Sequence, residues 1–447
     1  MIIKRKAYQK MLEWKKNSAG KTALLLDGAR RVGKSYLADE FGKKEYKSYI
    51  LINFSRMNST LKKIFEEDSM DLDLFFSKLS AMFGKRLFKR QSLFIFDEVQ
   101  RFPKARELIK FLLEDGRYDY IETGSLISLK QNIQDIVIPS EEEHLELFPL
   151  DFEEFLQAMG DETTVPFLKQ CFDNLTPLGN ALHRKILNSF RQYMLVGGMP
   201  QAVVEYAASK DFAKVDKAKK MILDLYRKDI IKFAKGYESK VLSIFDEIPG
   251  QLSKKEKNFT LSSIAKNAKM RTYEDSFIWL SEAMVTNVCF NSTDPTVGLA
   301  LNKDTMTQKC YFGDTGLLIT QTFMDNEYID NDLYKSVLLD KLGINEGMLT
   351  ENIVAQSLRT SGHKLYFYSR KDHNNRENNM EIDFLIKRGK KICPVEVKSS
   401  NYATHASLTK FAKKFKGKIG QSYILYSKDI LIKDGIIHLP LYMAMFL

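Results

Sequence analysis

Cysteine is scarce in this 447-residue chain: Cys171, Cys289, Cys310 and Cys393 are the four, far apart and without a CxxC pair. That argues against a disulfide framework or a zinc ribbon and predicts a reduced compartment. The six histidines (His144, His183, His363, His373, His405 and His438) show no metal-ligand spacing. Long apolar runs are missing as well. Runs such as 93–96 fall far short of the about 20 residues that cross a bilayer, so no membrane partner is predicted. The opening MIIKRKAYQKMLEWKK scatters charge and has no apolar signal core, which predicts a cytoplasmic protein. No fixed-period repeat or low-complexity tract is visible.

What is present is ordinary globular material. Hydrophobic residues make up 44% and charged residues 28%, enough to bury a core in each of about two to four domains. The formal charge of +11 favours a polyanionic partner such as DNA; a lysine-rich solvated surface explains the same number equally well. Basic stretches at 217–220, 254–257 and 410–418 carry the same two readings.

From 22 to 150, short β-type runs (TALLLD, SYILINF, SLFIFDE, DYIETGS, EEHLELFPL) alternate with helical patterns. Such alternation predicts an α/β fold with a parallel sheet covered on both faces. From 151 to 340 the pattern is helical, as in DFEEFLQAM and HRKILNSFRQYMLV, broken by Gly197-Gly198 and Pro200. Within it, over about 240–300, TLSSIAKNAKM, RTYEDSFIWLSEAMV and VCF read as helix, helix, strand, the order of a winged helix-turn-helix. Thr272 followed by Asp275 is a capping signal for the second helix. That helix bears Glu274, Asp275 and Glu282 against Arg271, a face that suits phosphates poorly and favours a structural or protein-contact role.

Residues 325–342 read as a linker. Beyond it, 341–447 is mixed α/β: a helix near 351–359, strands LYFYSR, EIDFLIKR and KICPVEVK, a helix near 406–415, and the strand SYILYS. Three units follow: 1–150, 151–340 and 341–447. Phe54, Phe94, Phe96, Trp279 and Phe384 fall within apolar patterns and are expected in cores.

Gly28-Ala29-Arg30-Arg31-Val32-Gly33-Lys34-Ser35 matches the P-loop pattern in full, after an apolar strand and before the helical SYLADEFGKK. Glycines let such a loop curl so that its N–H groups point at phosphate, and the helix N-terminus adds its dipole. Lys34 is then the point charge for the β- and γ-phosphates of ATP, and the Ser35 hydroxyl a ligand for Mg²⁺.

A second motif, Leu93-Phe94-Ile95-Phe96-Asp97-Glu98, is a strand apolar on both faces that delivers two carboxylates to its C-terminal edge, where ligands bind in open α/β sheets. Asp97 is expected to hold Mg²⁺, and Glu98 to orient and deprotonate the attacking water; the bland alternative for Glu98 is a solvated turn carboxylate. In the YIETGS run, Thr123 to Ser125 lie where a γ-phosphate sensor would sit. Ser125 is the preferred residue, with a helix N-cap as its competing role.

Together GARRVGKS, LFIFDEVQ and the TGS strand resemble the AAA+ superfamily. ELFPLDFEEFL, YMLVGGMP, CYFGDTGLL and EIDFLI…PVEVKSS narrow the resemblance to prokaryotic AAA+-like ATPases fused to a second, poorly characterised domain. The resemblance implies an ASCE-type P-loop sheet with Glu98 as catalytic glutamate. It also implies a homo-oligomer completed by an arginine finger, for which no arginine here carries a motif.

At the C-terminal end, Glu396 and Lys398 are two apart on one strand, so both project from one face. Asp383 lies on the neighbouring strand, and Glu351, on the preceding helix, completes the cluster. Gathered carboxylates repel unless a divalent cation or a pKa shift relieves them. Asp…Glu-x-Lys over two strands resembles the PD-(D/E)xK restriction-endonuclease-like fold, although its opening Pro-Asp is here Ile382-Asp383. The resemblance implies a second metal, Mg²⁺ or Mn²⁺, and phosphodiester cleavage; the bland alternative is a cross-strand ion pair in an inactive fold. The sequence thus predicts an ATPase that couples MgATP turnover to a nuclease-like tail acting on DNA. The alternative is a nucleotide-dependent switch that binds protein partners through an inactive tail.

Overall fold

Burial along the first five strands follows their apolar content. β1 (Ala23–Gly28), β3 (Ser92–Asp97) and β4 (Asp119–Thr123) are buried at every position, whereas β2 (Ser48–Asn53) and β5 (Glu142–Leu147) are not. The sheet order is β2-β3-β4-β1-β5, all parallel, so the wholly apolar runs occupy the centre and the mixed runs the edges. This computed structural model describes residues 3–124, 140–254, 258–324, 346–370, 379–399 and 406–447. It divides the chain into two units, Ile2–Phe148 and Pro149–Leu447.

In the first unit the strands alternate with α1 (Lys6–Ser18), α2 (Lys34–Glu45), α3 (Ser59–Glu67), α4 (Leu72–Phe83) and α5 (Pro103–Asp115). One face of the sheet meets α3, α4 and α5 through an aromatic cluster that includes Phe54, Phe65, Phe75, Phe76, Phe94, Phe96 and Tyr120. Its rings meet mostly edge to face, as at Phe65 and Phe75, 5.2 Å between centroids. Each such ring contributes about 1.5–3 kcal/mol by leaving water. The cluster fixes β3, and hence the position of its last residue.

The second unit begins with α6 (Phe152–Ala158), closed by a capping box between Asp151 and Glu154, then α7 (Thr164–Asn174), α8 (Asn180–Val196), α9 (Pro200–Ser209), α10 (Phe212–Phe233) and α11 (Glu238–Ser253). After α12 (Glu274–Glu282) come β6 (Thr286–Ser292), β7 (Lys303–Phe312), α13 (Thr315–Thr322), α14 (Glu346–Thr360), β8 (Tyr366–Arg370), β9 (Met380–Ile382), β10 (Phe384–Arg388), β11 (Lys391–Val397), α15 (Ala406–Lys414), β12 (Tyr423–Tyr426), β13 (Leu431–Lys433) and β14 (Ile436–Pro440). Two mixed sheets result, β7-β6-β8-β9 and β10-β11-β12-β14-β13, an α/β arrangement.

Three local expectations need correction. TLSSIAKNAKM is not an α-helix: it carries only 3-10 turns at Leu261–Ser263 and Met270–Thr272. Of its apolar positions only Leu261 is fully buried, so nothing repays helix nucleation, and serines and asparagine compete for the backbone. Thr272 does not cap α12; its hydroxyl turns back to the Lys269 carbonyl, and the N-cap is Tyr273. EIDFLIKR is two strands, broken at Asp383, whose carboxylate accepts from the Val397 N–H at 2.9 Å and takes that residue out of the ladder. Moreover, β6 pairs in parallel with β8 besides forming the antiparallel hairpin with β7.

The linker 325–342 and residues 255–257 lie outside the described residues. Phe54, Phe94, Phe96, Trp279 and Phe384 are all buried. The four cysteines are free and buried. No described helix is long and apolar enough to cross a membrane.

Candidate functional site

The first site is built where β1 and β3 end. Gly28 leaves β1 at φ 149°, and a Cβ there would stand 2.3 Å from the Leu147 carbonyl oxygen. The loop then needs positive φ again at Arg31 (71°) and Gly33 (95°). Arg31 is not a glycine, so this turn stores strain of about 1 kcal/mol or more. Gly33 is the N-cap of α2 and has no side chain to offer, which leaves the helix's first N–H groups and their partial positive charge facing the loop.

Lys34 opens α2 and is buried. Its ammonium donates to the carbonyls of Gly28, at 2.8 Å, and Ala29, at 3.0 Å, and so lies across the mouth of the loop. Burial lowers its pKa to about 8; the carboxylates of Glu98, Asp27 and Asp97 work against that shift.

Asp97, the last residue of β3, is buried and held from three sides. Its Oδ1 accepts from Ser35 Oγ at 2.5 Å and from Thr123 Oγ1 at 2.6 Å, and its Oδ2 from Asn53 Nδ2 at 2.6 Å. The register explains the convergence: Asn53 is opposite Asp97 on β2, and Thr123 ends β4 on the other side. Glu98 leaves the strand at once, with φ 58°, its N–H donating to Thr123 Oγ1 at 3.2 Å and its carboxylate accepting from Gln100 Nε2 at 2.7 Å. Loop, lysine, hydroxyl and both carboxylates therefore share one edge of one sheet.

The pattern fits a magnesium nucleotide. A hydroxyl and a carboxylate already within 2.5 Å of each other are the donor pair such an ion takes, and they lie beside a loop with uncapped helix N–H groups at Gly33. Ser125 lies outside the described residues. Sequence reasoning did not single out Asn53, Gln100 or Arg5. The Arg5 guanidinium donates to the carbonyls of Val32, at 2.9 Å, and Phe148, at 2.6 Å, tying the start of α1 to the loop. Asn53 could have been found as the polar residue ending the strand next to β3; no local pattern marks Arg5.

The second constellation, in the other unit, departs from expectation. Lys398 pairs with Glu396 at 2.6 Å. Glu351 and Asp383, however, surround a lysine that the sequence reading passed over. Lys309 Nζ lies 3.7 Å from Glu351, 3.7 Å from Asp383 and 3.5 Å from Glu381. Lys309 sits on β7 two residues before Tyr311, so both point to one face, and the Tyr311 hydroxyl donates to Glu351 at 3.1 Å. Among the described residues no group of three or more His, Cys, Asp and Glu is arranged to hold a metal ion.

Leu150, VGGMP and GDTGLL meet elsewhere in the same unit. Asp314 is buried; one oxygen accepts from the Gly198 N–H at 2.5 Å, the other caps α13 through Leu317 N–H at 2.9 Å. A Cβ on Gly198 would come within 2.1 Å of the Leu150 carbonyl oxygen, and one on Gly316 within 2.5 Å of Gly197 N. The Lys219 ammonium, buried and lowered by that burial to about 8, donates to the carbonyls of Leu195 and Gly316. These glycines permit backbone contact within the unit's interior.

Comparison with known proteins agrees with the first unit. Residues 20–156 match the family described as AAA domain. Residues 187–328 and 346–443 each match a domain of unknown function, DUF8612 and DUF4143. No curated protein matches the chain. Among solved structures, a Walker-type ATPase of Pyrococcus abyssi is similar at 17% identity and TM-score 0.41, over 72% of this chain and 96% of that one. Drosophila ORC bound to DNA is similar at 13% identity and TM-score 0.26, over 71% and 94%. A DNA replication initiation factor is similar at 12% identity and TM-score 0.23, over 62% and 76%. The parallel sheet, the loop and the AAA-domain match make residues 20–156 a P-loop ATPase core.

Proposed function

We propose that the chain hydrolyses MgATP at the edge formed by residues 28–35, Asp97 and Glu98. The observation that carries this is the meeting of Lys34, Ser35, Asp97 and Glu98, with Ser35 Oγ 2.5 Å from Asp97. The N–H groups of Gly28, Ala29, Arg30, Arg31, Val32 and Gly33 cradle the β-phosphate, and Lys34 stabilises the charge that develops on the transferred phosphoryl group. Ser35 and Asp97 would hold magnesium, which when bound would neutralise charge on the phosphate oxygens. Glu98 orients the attacking water and takes its proton, with Gln100 and the Thr123 hydroxyl fixing where Glu98 sits.

Glu98→Gln tests this directly. It preserves shape and the hydrogen bond capacity of the site but removes the base, so steady-state turnover falls about 10²- to 10⁴-fold. Binding of a fluorescent ATP analogue stays within a few-fold of wild type. Turnover at the wild-type rate in Glu98→Gln would overturn the assignment.

The finer part of the proposal is that turnover serves a nucleic-acid partner. The charge of +11 suits a polyanionic partner such as DNA, and the AAA+ resemblance implies an oligomer that completes the site in trans. ATPase rates with and without single- and double-stranded DNA, read beside native mass, decide both points. An unchanged rate on a monomer removes them.

A further inference from the structure

Lys309 has no place in the nuclease-like reading, yet it lies beside two of that reading's carboxylates, Glu351 and Asp383, together with Glu381. We infer that Lys309 is the built-in cation of the Glu351–Glu381–Asp383 cluster, which makes that centre an ion-pair hub joining β7, β9 and α14 and not a divalent-metal site for phosphodiester cleavage. The inference is independent of the ATPase reading, since it concerns only the unit Pro149–Leu447.

Distance is the first argument. Magnesium and manganese need carboxylate oxygens at about 2.0–2.2 Å and calcium at about 2.3–2.6 Å, drawn in tightly around a small ion. The three carboxylates here stand 3.5–3.7 Å from an ammonium nitrogen, spread around a larger cation, and do not form a metal-holding group.

Tethering is the second. Lys309 has only 3% of its side chain exposed, lies 5.0 Å from the Phe367 ring centroid, and projects from a strand paired at Cys289. A metal entering the cluster would have to displace this ammonium, whose stem cannot diffuse away, and would leave a positive charge buried beside it.

Charge balance is the third. One ammonium does not cancel three carboxylates, but the remainder is met locally. Glu351 accepts from Tyr311 and Asp383 from the Val397 N–H, so each has a hydrogen-bond donor besides the ammonium. Glu351 and Glu381 also keep 24% and 26% of their side chains exposed, so water screens them. The lysine that a metal-dependent nuclease would use, Lys398, is bound to Glu396 at 2.6 Å.

The test is Mn²⁺ titration of the nucleotide-free full-length protein, read by electron paramagnetic resonance as the free-ion signal is lost, on wild type, Asp383→Asn, Lys309→Met and Lys309→Met/Asp383→Asn. Wild type is expected to take up no ion that Asp383→Asn abolishes. Lys309→Met, with the ammonium gone and the carboxylates intact, is expected to bind about one Mn²⁺ per chain more tightly than wild type by at least tenfold, and to lose it again in the double variant. Should Lys309→Met unfold, its recovery by millimolar Mn²⁺ or by the Asp383→Asn change gives the same support, because either relieves the same repulsion. A wild-type protein that binds one Mn²⁺ through Asp383 overturns the inference. So does a Lys309→Met variant that folds as wild type and takes up no ion, or one whose misfolding neither Mn²⁺ nor Asp383→Asn repairs.

Discussion

Raising the pH should weaken nucleotide binding from a threshold set by Lys34. In the absence of nucleotide its ammonium is buried against the carbonyls of Gly28 and Ala29, and burial brings its pKa to about 8. A triphosphate placed beside it favours the charged form and raises that pKa, so binding takes up a proton whenever the lysine starts neutral. The sign follows: affinity is flat below about 8 and falls above it, until the pKa of the bound state is passed. With the free value near 8, about nine-tenths of the molecules carry the proton at pH 7 and about one-tenth at pH 9. Affinity should therefore drop about tenfold between those values, or about 1.4 kcal/mol, with a further tenfold for the next unit. The assay is equilibrium titration with a fluorescent ATP analogue at constant ionic strength from pH 6.5 to 10. Lys34→Arg supplies the control, because a guanidinium stays charged throughout and its curve should be flat whatever its absolute affinity. A wild-type affinity that holds constant to pH 10 would refute the argument, for it would mean that the ammonium is not desolvated or does not meet the phosphates.

Two other perturbations separate the units. Gly198→Ala puts a Cβ 2.1 Å from the Leu150 carbonyl oxygen, where Leu150 N–H already donates to Gly198 at 2.6 Å. The strand of backbone must move, at a cost of about 3 kcal/mol or more; the thermal midpoint of the second unit should fall while ATP affinity is kept, and an unchanged melting profile refutes the packing role. Glu122→Gln acts the other way. Burial pushes the Glu122 carboxyl well above the usual carboxylate range, and neighbouring Glu142 adds to the shift. A carboxyl whose folded pKa is raised contributes stability that is present below about pH 4.3 and lost as pH rises toward the folded value, at about 1.4 kcal/mol per unit. Glu122→Gln should flatten that decline and exceed wild type in chemical-denaturation stability at pH 8; equal pH slopes would show that Glu122 is not the titrating group.

The first unit was legible because its chemistry is local. Apolar runs with a carboxylate or a glycine loop at the end report strand, edge and ligand geometry in one stretch of a few residues, and the strands at 23–28, 48–53, 92–97, 119–123 and 142–147 follow those runs. What the sequence concealed is contributed from far away. Arg5 reaches Val32 and Phe148 across the unit, and Asn53 reaches Asp97 only because the register sets them side by side. The second unit was harder for the same reason. Lys309 stands in QKCYF with nothing beside it to mark it, since Glu351, Glu381 and Asp383 arrive from a helix and a strand 40 or more positions on. Its one local sign is a lysine alternating with Tyr311 on a strand that ends CYF. TLSSIAKNAKM failed in the opposite sense: a fair helical pattern went without a surface to bury it.

Motif glycines and clustered carboxylates look alike in sequence whether or not they await a ligand, and the two units show what distinguishes them. At Asp314, a helix start and two glycines make a concavity of N–H groups much like a phosphate nest, but the chain fills it with its own carboxylate, which accepts from Gly198 and Leu317. At Lys309, gathered carboxylates make a cation's surroundings, and the chain fills those with its own ammonium. The loop at 28–35 is built differently. Gly33 has no side chain with which to cap α2, the loop spends strain at Arg31 to keep its curve, and the Lys34 ammonium beside it is one whose burial has cut the stability of its charge. A site that satisfies itself gains nothing from a ligand, whereas one that leaves N–H groups uncapped and holds a lysine desolvated regains both on meeting an anion. That difference in unspent electrostatics, more than any motif, is why the first unit and not the second is expected to carry the chemistry.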